Sequence, residues 1–309
     1  MDRDLDPRAH DESRDRHRSG RGASSASDGR RLDPREVVTK DLDLPRGRHR
    51  ERVLVREHHY DLRGSEVRAL ATVGAFRVVP TEDLREATGR TANARTGDVY
   101  RLRQAGLVRT LPYGAGRDRT TLVVLTPSGR DVLESHRRPA DGRPQVFYAG
   151  LVKPREVPHD SHLYRAYLRA ADRLAARGAT VRRVVLDYEL KRDYQRFLHQ
   201  RSRSRRDETL DDRPLPESVE AWALAYQLPY EDGHVQFPDV RIEYDHPDGR
   251  RDLEDLEVWT PHYRGAMAAA KTSAGFTRYR AGGRGVMSTR GGSSRGSGPA
   301  VTLAEELLS

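Results

Sequence analysis

Two carboxylates, Asp239 and Glu257, stand in segments whose alternating pattern predicts two paired β-strands. Polar and apolar residues alternate over 237–244 and again over 253–259, and an Asp248–Gly249 turn signal lies between the two segments. Carboxylates on adjacent strands can hold Mg²⁺, which takes oxygen ligands and keeps several waters. A metal held there can activate water and stabilise charge on a scissile phosphate. The pair is therefore a candidate metal site and catalytic site for phosphodiester hydrolysis.

The sequence leaves the register of this hairpin open. An odd loop centred on Asp248 places Asp239 directly opposite Glu257, whereas a two-residue turn at Asp248–Gly249 shifts the pairing by one residue. The acidic pair also has a structural interpretation, in which it belongs to a polar hairpin face balanced by Arg241.

Histidines stand near these carboxylates in two places. The run His159-Asp160-Ser161-His162 has the residue types of a ligand cluster, but it lies at the start of a predicted helix. Asp160 or Ser161 is a good N-cap there, so we interpret the run as a cap. His262 follows the second strand and either assists phosphate chemistry or caps a helix.

The elements that must position the carboxylates form a mixed α/β region over residues 160–280. Apolar spacing predicts its helices, and β-branched residues predict its first strand. In chain order the region is predicted as helix 160–177, strand 181–186, helix 188–200, short helix 219–226, the hairpin, helix 262–273 and strand 276–279. The basic run 201–206 is a phosphate-contacting patch if it faces DNA, and otherwise a solvated helix end.

This order of helix, strand, hairpin, helix and strand resembles the core of the restriction-endonuclease-like fold. Pro238-Asp239 followed by Glu257 resembles the PD-(D/E)XK signature of that fold, with Trp259 in the place of the signature lysine. The resemblance implies that Asp239 and Glu257 bind Mg²⁺ and that Lys271, on the following helix, supplies the ammonium group. If Lys271 does not do so, the site is inactive and structural.

The first patterned region covers residues 60–137 and alternates helices with short strands. Its predicted elements are helix 65–73, strand 77–79, helix 81–89, helix 92–104, strand 107–111, strand 120–125 and a helix that begins after Thr126. This order resembles a winged helix-turn-helix DNA-binding domain, and residues 102–108 and 125–130 carry the resemblance. The alternative interpretations are that this is a solvated helix face or that the winged helix binds another protein.

The winged-helix resemblance implies which side chains contact DNA. In such proteins the N-terminal residues of the recognition helix reach base edges in the major groove. Arg95 is expected to read guanine and Asn93 adenine, while residues further along the helix and at the wing tip contact phosphates. The predicted DNA-binding residues are Thr91, Asn93, Arg95, Thr96, Arg101, Arg103, Arg117 and Arg119.

Composition and charge agree with a nucleic-acid partner. The 309-residue chain has a formal net charge of +9, and its sequence pI is about 9.9, above the value of about 9 typical of nucleic-acid-binding domains. It has no cysteine, which excludes disulfides, zinc ribbons and a thiol nucleophile. No long apolar run or secretory signal is visible, so we expect a cytoplasmic protein without membrane contact. The absence of a Walker loop argues against an ATPase.

The remaining segments are predicted as tails and linkers. Residues 1–50 are rich in charged, Ser and Gly residues and are expected to be disordered. The domains are expected at 51–138 and 160–280, joined by a linker over 139–159. A Gly/Ser/Arg-rich linker over 281–299 and a short helix over 300–309 are expected to end the chain.

A winged helix followed by such a nuclease-like domain resembles the replication-relaxation family of plasmids and other mobile elements. Asp239, the strand 255–259, Lys271 and residues 276–279 are the positions that match. The resemblance implies double-stranded DNA binding, with the second domain serving for further DNA contact or dimerisation. Two alternatives stay open: a Mg²⁺-dependent DNA nuclease that uses Asp239 and Glu257, and a transcription regulator whose second domain senses a ligand. No cofactor is expected unless the nuclease interpretation holds.

Overall fold

A computed structural model describes residues 34–114, 119–140, 142–150, 153–204, 216–259 and 274–281. Within these ranges the chain is a mixed α+β protein, which confirms the predicted fold class at that level. Several predicted features lie outside the described residues. They are the tail over 1–33, Arg117, the helix over 262–273 with His262 and Lys271, the linker after 281 and the final helix.

Seven α-helices and eleven strands occur in the described residues, together with two short 3₁₀ helices. The helices are α1 (Gly64–Phe76), α2 (Gly97–Gln104), α3 (Pro127–Ser135), α4 (Val157–Asp160), α5 (Leu163–Ala176), α6 (Asp187–Ser204) and α7 (Val219–Ala225). The strands are β1 (Glu51–Val55), β2 (His58–Leu62), β3 (Val78–Pro80), β4 (Val108–Tyr113), β5 (Thr120–Leu125), β6 (Thr180–Leu186), β7 (Tyr230–Glu231), β8 (His234–Val235), β9 (Val240–Asp245), β10 (Arg251–Trp259) and β11 (Thr277–Arg280). None of these helices has the length and apolar character that a membrane span requires.

The first half of the described chain is built on a three-stranded antiparallel sheet in the order β3-β5-β4. Helix α1 contacts this sheet as well as α2 and α3, and the β1–β2 hairpin lies against α3. The predicted strand over 120–125 and the helix after it are confirmed. Thr126 caps that helix, because its hydroxyl accepts a 3.0 Å hydrogen bond from the backbone N–H of Gly129.

The predicted second helix is wrong, and the third begins later than predicted. Only a single 3₁₀ turn, Thr81–Asp83, forms where a helix over 81–89 was expected. The backbone from Leu84 to Ala92 pairs with itself instead, with Ala92 N–H donating to the Leu84 carbonyl. Helix α2 begins at Gly97 rather than at residue 92. Local propensity favoured a helix here, but these backbone pairings compete with it.

Residues 34–50 are folded, which corrects their assignment to a disordered tail. A 3₁₀ helix over Pro34–Thr39 contacts α1, β6 and α5. Val37, Val38 and Leu42 are buried in the main hydrophobic core. Residues 1–50 are mostly charged and polar, so their average composition did not reveal that these few apolar residues are buried.

The second half is built on a four-stranded sheet in the order β11-β10-β9-β6. Strand β9 is antiparallel to both β6 and β10, and β11 is parallel to β10. Helix α5 packs on one face of this sheet, where Ile242 and Val258 are fully buried. On the other face, Val185 joins an aromatic cluster with residues of α6 and α7.

The register of the β9–β10 hairpin is the one centred on Asp248. Asp245 pairs with Arg251, and Val240 pairs with Leu256. The odd-loop alternative is therefore the one that the chain adopts as far as Val240, and beyond it the Asp239 N–H donates to the Leu256 carbonyl rather than pairing with Glu257.

One hydrophobic core runs through both halves of the described chain. The ring of Phe76, at the end of α1, lies 5.0 Å from that of Tyr164 and 5.1 Å from that of Tyr167, both in α5. Phe147, in the stretch predicted as a linker over 139–159, is buried in the same core. All of the described residues belong to one compact unit that begins at Leu32.

Candidate functional site

The carboxylate of Asp239 is fixed at the end of the β9–β10 ladder. Its backbone N–H donates to the Leu256 carbonyl over 3.0 Å, and its Oδ2 accepts from the backbone N–H of Val258 over 2.7 Å. Pro238 has no N–H to donate, so the ladder of β9 starts after it. The side chain therefore extends the hydrogen bonding of β10 beyond the first residue of β9. Asp239 is 6% exposed and Glu257 has no exposed surface.

His159 lies between two buried carboxylates. Its Nε2 is 3.0 Å from Oδ2 of Asp239, and its Nδ1 is 3.2 Å from Oδ1 of Asp160. Burial alone lowers the pKa of a histidine, but hydrogen bonds and charge attraction from Asp160 and Asp239 outweigh it here. They raise the pKa of His159 to about 10, so the ring is an imidazolium at neutral pH.

Arg77 links this site to the first half of the chain. It follows α1 with a φ of 66°, and its guanidinium donates to Oδ2 of Asp160 over 2.9 Å. The same guanidinium stacks on the ring of Tyr188, 3.6 Å from its centroid. The site is thus a chain of alternating charges that runs from Arg77 through Asp160 and His159 to Asp239.

A further carboxylate, Asp187, begins α6 beside this chain of charges. Its backbone N–H donates to the Asp239 carbonyl over 3.3 Å, and its carboxylate pairs with the Lys191 ammonium at 2.6 Å. Burial raises the pKa of Asp187, and the nearby charges of Asp239 and Asp160 add to the rise, while Lys191 opposes it. Lys191 therefore offsets only part of the rise in the pKa of Asp187.

The described residues supply two carboxylates but do not complete a metal site. In that part of the chain, no group of three or more His, Asp or Glu side chains is arranged to hold a metal ion. One oxygen of Asp239 already binds a backbone N–H and the His159 ring. Lys271 lies outside the described residues. We therefore assign no catalytic step to Mg²⁺ at the described residues.

The sequence did not single out His159 and Arg77 as site residues. The N-cap position of α5 is His162, without a side-chain cap bond, so the predicted capping roles of Asp160 and Ser161 are wrong. Asp160 binds Arg77 and His159 instead. The only sequence signal for this site was the adjacent pair His159-Asp160. It was not decisive, because the same residue types are typical of the start of a helix.

The predicted DNA-binding residues lie on α2, on the loop before it and on the edge of the β4–β5 hairpin. All but one of those described are well exposed, and Arg103 is half-buried. Thr91, Asn93 and Arg95 lie in the loop before α2 rather than on that helix, and Thr96 takes the N-cap position of α2. The predicted helical placement of these residues is therefore wrong.

Local contacts hold part of this surface in place. Oδ1 of Asn93 accepts from the backbone N–H of Arg95 over 2.8 Å, which fixes the turn that presents Arg95. Arg103 contacts the Thr110 hydroxyl over 3.4 Å. Arg95, Arg101 and Arg119, here called the α2 arginine set, form no ion pair with any residue that the structure describes.

Comparisons of the chain with protein-family models, with curated proteins and with solved structures returned no match. The function of the protein is therefore inferred from its own residues.

Proposed function

We propose that this protein binds double-stranded DNA through α2, the loop before it and the β4–β5 hairpin. The α2 arginine set carries the proposal, because its three guanidinium groups are exposed and form no ion pair with the described residues. Exposed arginines with free donor groups suit phosphates and guanine edges. The order α1, β3, α2, β4, β5, α3 supports a winged helix-turn-helix.

The contacts around α2 suggest different roles for its neighbours. Arg95 projects from a turn that Asn93 holds, so Arg95 is the candidate for reading guanine. Asn93 uses its carbonyl oxygen within the turn and is less available for a bidentate contact with adenine. Arg101, Arg103 and Arg119 are candidates for phosphate contacts, which position the protein without reading sequence.

In this proposal the second half of the chain supports DNA binding and does not hydrolyse DNA. The His159 ring is paired with the Asp239 carboxylate. The same sheet is also stabilised by ion pairs, among them that of Arg241 with Asp255, which has two hydrogen bonds of 2.7 and 2.8 Å. These contacts give the acidic residues a structural role. This arrangement agrees with an accessory DNA-binding protein of the replication-relaxation type.

The test is a fluorescence anisotropy titration of labelled duplex DNA with the full chain. The α2 variant combines Arg95→Ala, Arg101→Ala and Arg119→Ala. The α5 control variant combines Arg169→Ala, Arg173→Ala and Arg177→Ala, which removes the same charge. Arg173 and Arg177 lie 2.6 and 3.7 Å from Glu254, so they are already paired.

We expect the wild type and the α5 control variant to bind alike and the α2 variant to bind more weakly. In the α2 variant, the slope of log affinity against log salt should decrease by about 0.9 for each phosphate that the protein no longer neutralises. Arg95→Ala alone should cost about 1–3 kcal/mol on the preferred sequence and relax specificity. Equal binding by all three proteins would contradict the proposal. Tight binding to one operator, independent of divalent ions, would favour a transcription regulator.

A second candidate function is Mg²⁺-dependent DNA hydrolysis. One observation favours it: Asp239 and Glu257 are both buried, and Oδ2 of Asp239 accepts from the backbone N–H of Val258, the residue after Glu257. The test is supercoiled plasmid with EDTA or with Mg²⁺, for the wild type and for Asp239→Asn/Glu257→Gln, which keeps the side-chain shapes. Metal-dependent nicking by the wild type alone would establish hydrolysis. Retardation without cleavage in every lane would exclude it.

A further inference from the structure

Helix α6 has two chemically different faces. Leu190 and Phe197 are buried in the aromatic cluster, and Tyr194 lies 5.0 Å from the ring of Trp222. The opposite face carries four basic or titratable side chains at spacings of four, three and four residues, which sets them on one side of a helix. These residues, here called the α6 stripe, are Arg192, Arg196, His199 and Arg203.

All four side chains of the α6 stripe are exposed, and they line one open groove. Arg192 and Arg203 form no ion pair with any residue within the described ranges. Arg196 lies 3.2 Å from Asp193, but the carboxylate of Asp193 is shared with Arg143. The stripe therefore keeps an excess of positive charge.

The length of the α6 stripe suits a phosphate backbone. Its first and last members are eleven positions apart in the sequence. At about 1.5 Å per residue this distance is roughly 17 Å along the helix axis. One strand of duplex DNA carries a phosphate for about every 3.4 Å of the DNA helix axis, so a stripe of this length is within reach of several phosphates.

We propose that the α6 stripe is a second contact surface for duplex DNA, which binds the phosphodiester backbone without reading sequence. This inference rests on the proposed function and extends it from one binding surface to two. Arginine offers a fork of donors that matches phosphate oxygens. The groove is lined by arginine, histidine, glutamine and serine side chains, with no aromatic residue for stacking the bases of single strands. It also lacks the apolar side chains with which a helix inserts into a lipid surface.

A second row of arginines provides a matched comparison. Arg169 and Arg173 on α5 and Arg177 at its C-cap follow one another at helical spacing and are exposed. Glu254 pairs with Arg173 and Arg177, and Arg169 stacks on the ring of Tyr279 at 4.8 Å. These charges are already engaged, so this row is not a contact surface in the proposal.

The test measures binding of the full chain to a long duplex over about 50 to 200 mM salt. The α6 variant combines Arg192→Ala, Arg196→Ala and Arg203→Ala, and a second version uses Gln at the same positions. Circular dichroism checks that both remain folded. We expect both versions to decrease the slope of log affinity against log salt by about 2–3, on every sequence tested. The α5 control variant should keep the wild-type slope.

Four results would overturn the inference, and they are distinguishable. If the α6 variants keep the wild-type slope while the α2 variant weakens binding, the proposed function stands and the stripe does not contact DNA. If the α5 control variant shows the same decrease in slope as the α6 variants, the effect is one of net charge alone. If the wild type does not bind duplex DNA, both proposals fail. Vesicles of anionic lipid serve as a probe in parallel, and loss of vesicle binding with unchanged duplex binding would also contradict the inference.

Discussion

The charge of His159 is decided by two opposing effects. Burial favours the neutral ring, whereas Asp160 and Asp239 favour the imidazolium, and the carboxylates prevail. His162, three residues later, has the opposite balance, because burial dominates and the charges of Arg165 and His159 add to it. Its pKa is lowered to about 4. Two histidines on consecutive turns therefore carry different charges at neutral pH.

His159→Gln should destabilise the protein in a pH-dependent way. Because the folded pKa of about 10 lies above the ordinary value of 6.5, the stabilisation is complete below pH 6.5 and is lost as the pH rises towards 10. The imidazolium side chain is 29% exposed, so we expect a loss of about 1–3 kcal/mol, below that of a fully buried pair. Urea unfolding at intervals between pH 6 and 10 measures this difference.

His162→Gln is the matched control for that series. Its pKa of about 4 leaves the ring neutral above pH 6.5, so any cost of this substitution should stay constant between pH 7 and 10. Below pH 6.5 the unfolded histidine takes up a proton that the folded one does not, so wild-type stability should fall there relative to His162→Gln. A pH-independent gap between the wild type and His159→Gln would contradict the ion pair.

At the scale of elements, Gly97 and Glu86 define where α2 begins. Gly97 has a φ of +76°, in the region that favours glycine. Both carboxylate oxygens of Glu86 accept from the backbone N–H of Asp98, at 3.1 and 3.0 Å, and thereby cap the helix. This side chain comes from the loop that precedes α2 and takes the role of an N-cap side chain.

Gly97→Ala should weaken the protein through both features. A Cβ at this position would lie 2.2 Å from Oε1 of Glu86, which displaces the cap, and the positive φ adds strain. We expect a loss of roughly 2–4 kcal/mol in urea unfolding. Gly89→Ala shares a positive φ of +79° but meets no atom within 4 Å, so it should cost only roughly 1–2 kcal/mol. Equal costs for the two substitutions would show that Glu86 does not cap α2.

The elements that the sequence predicted well are those with strong local signals. The amphipathic pattern of α5 and the β-branched run of β6 gave bounds within a few residues, and Gly178 ends α5 at a φ of +78° as expected. The start of α2 was missed because its cap, Glu86, lies eleven residues before Gly97 in the chain. The helical periodicity of a sequence does not show which side chain outside the helix caps it.

The acidic site was predictable only in part, for a related reason. Alternation and the Asp248–Gly249 turn reduced the hairpin to two registers, and the odd loop prevailed. His159 reaches Asp239 across 80 positions of sequence, and Arg77 comes from the other half of the chain. Contacts of this kind depend on how the two halves pack, which local patterns do not contain.

At the scale of the whole molecule, the two halves depend on each other. Phe76 is fully buried between α1 and the tyrosines of α5. Arg165 of α5 also reaches back to the first half, where its guanidinium lies 2.6 Å from Asp83. A shared core with ion pairs at its border favours a single cooperative unfolding transition.

Phe76→Ala tests this dependence, because both tryptophans of the chain, Trp222 and Trp259, lie in the other half. Removing a buried phenylalanine should cost about 3–5 kcal/mol. If the core is shared, tryptophan fluorescence and circular dichroism should report the same transition, shifted together to lower urea. Leu54→Ala, at a residue that is 53% exposed, should shift the midpoint very little. A fluorescence transition that stays at the wild-type midpoint while the dichroism shifts would mean that the halves unfold separately, and the charge chain from Arg77 to Asp239 would then link two independent domains.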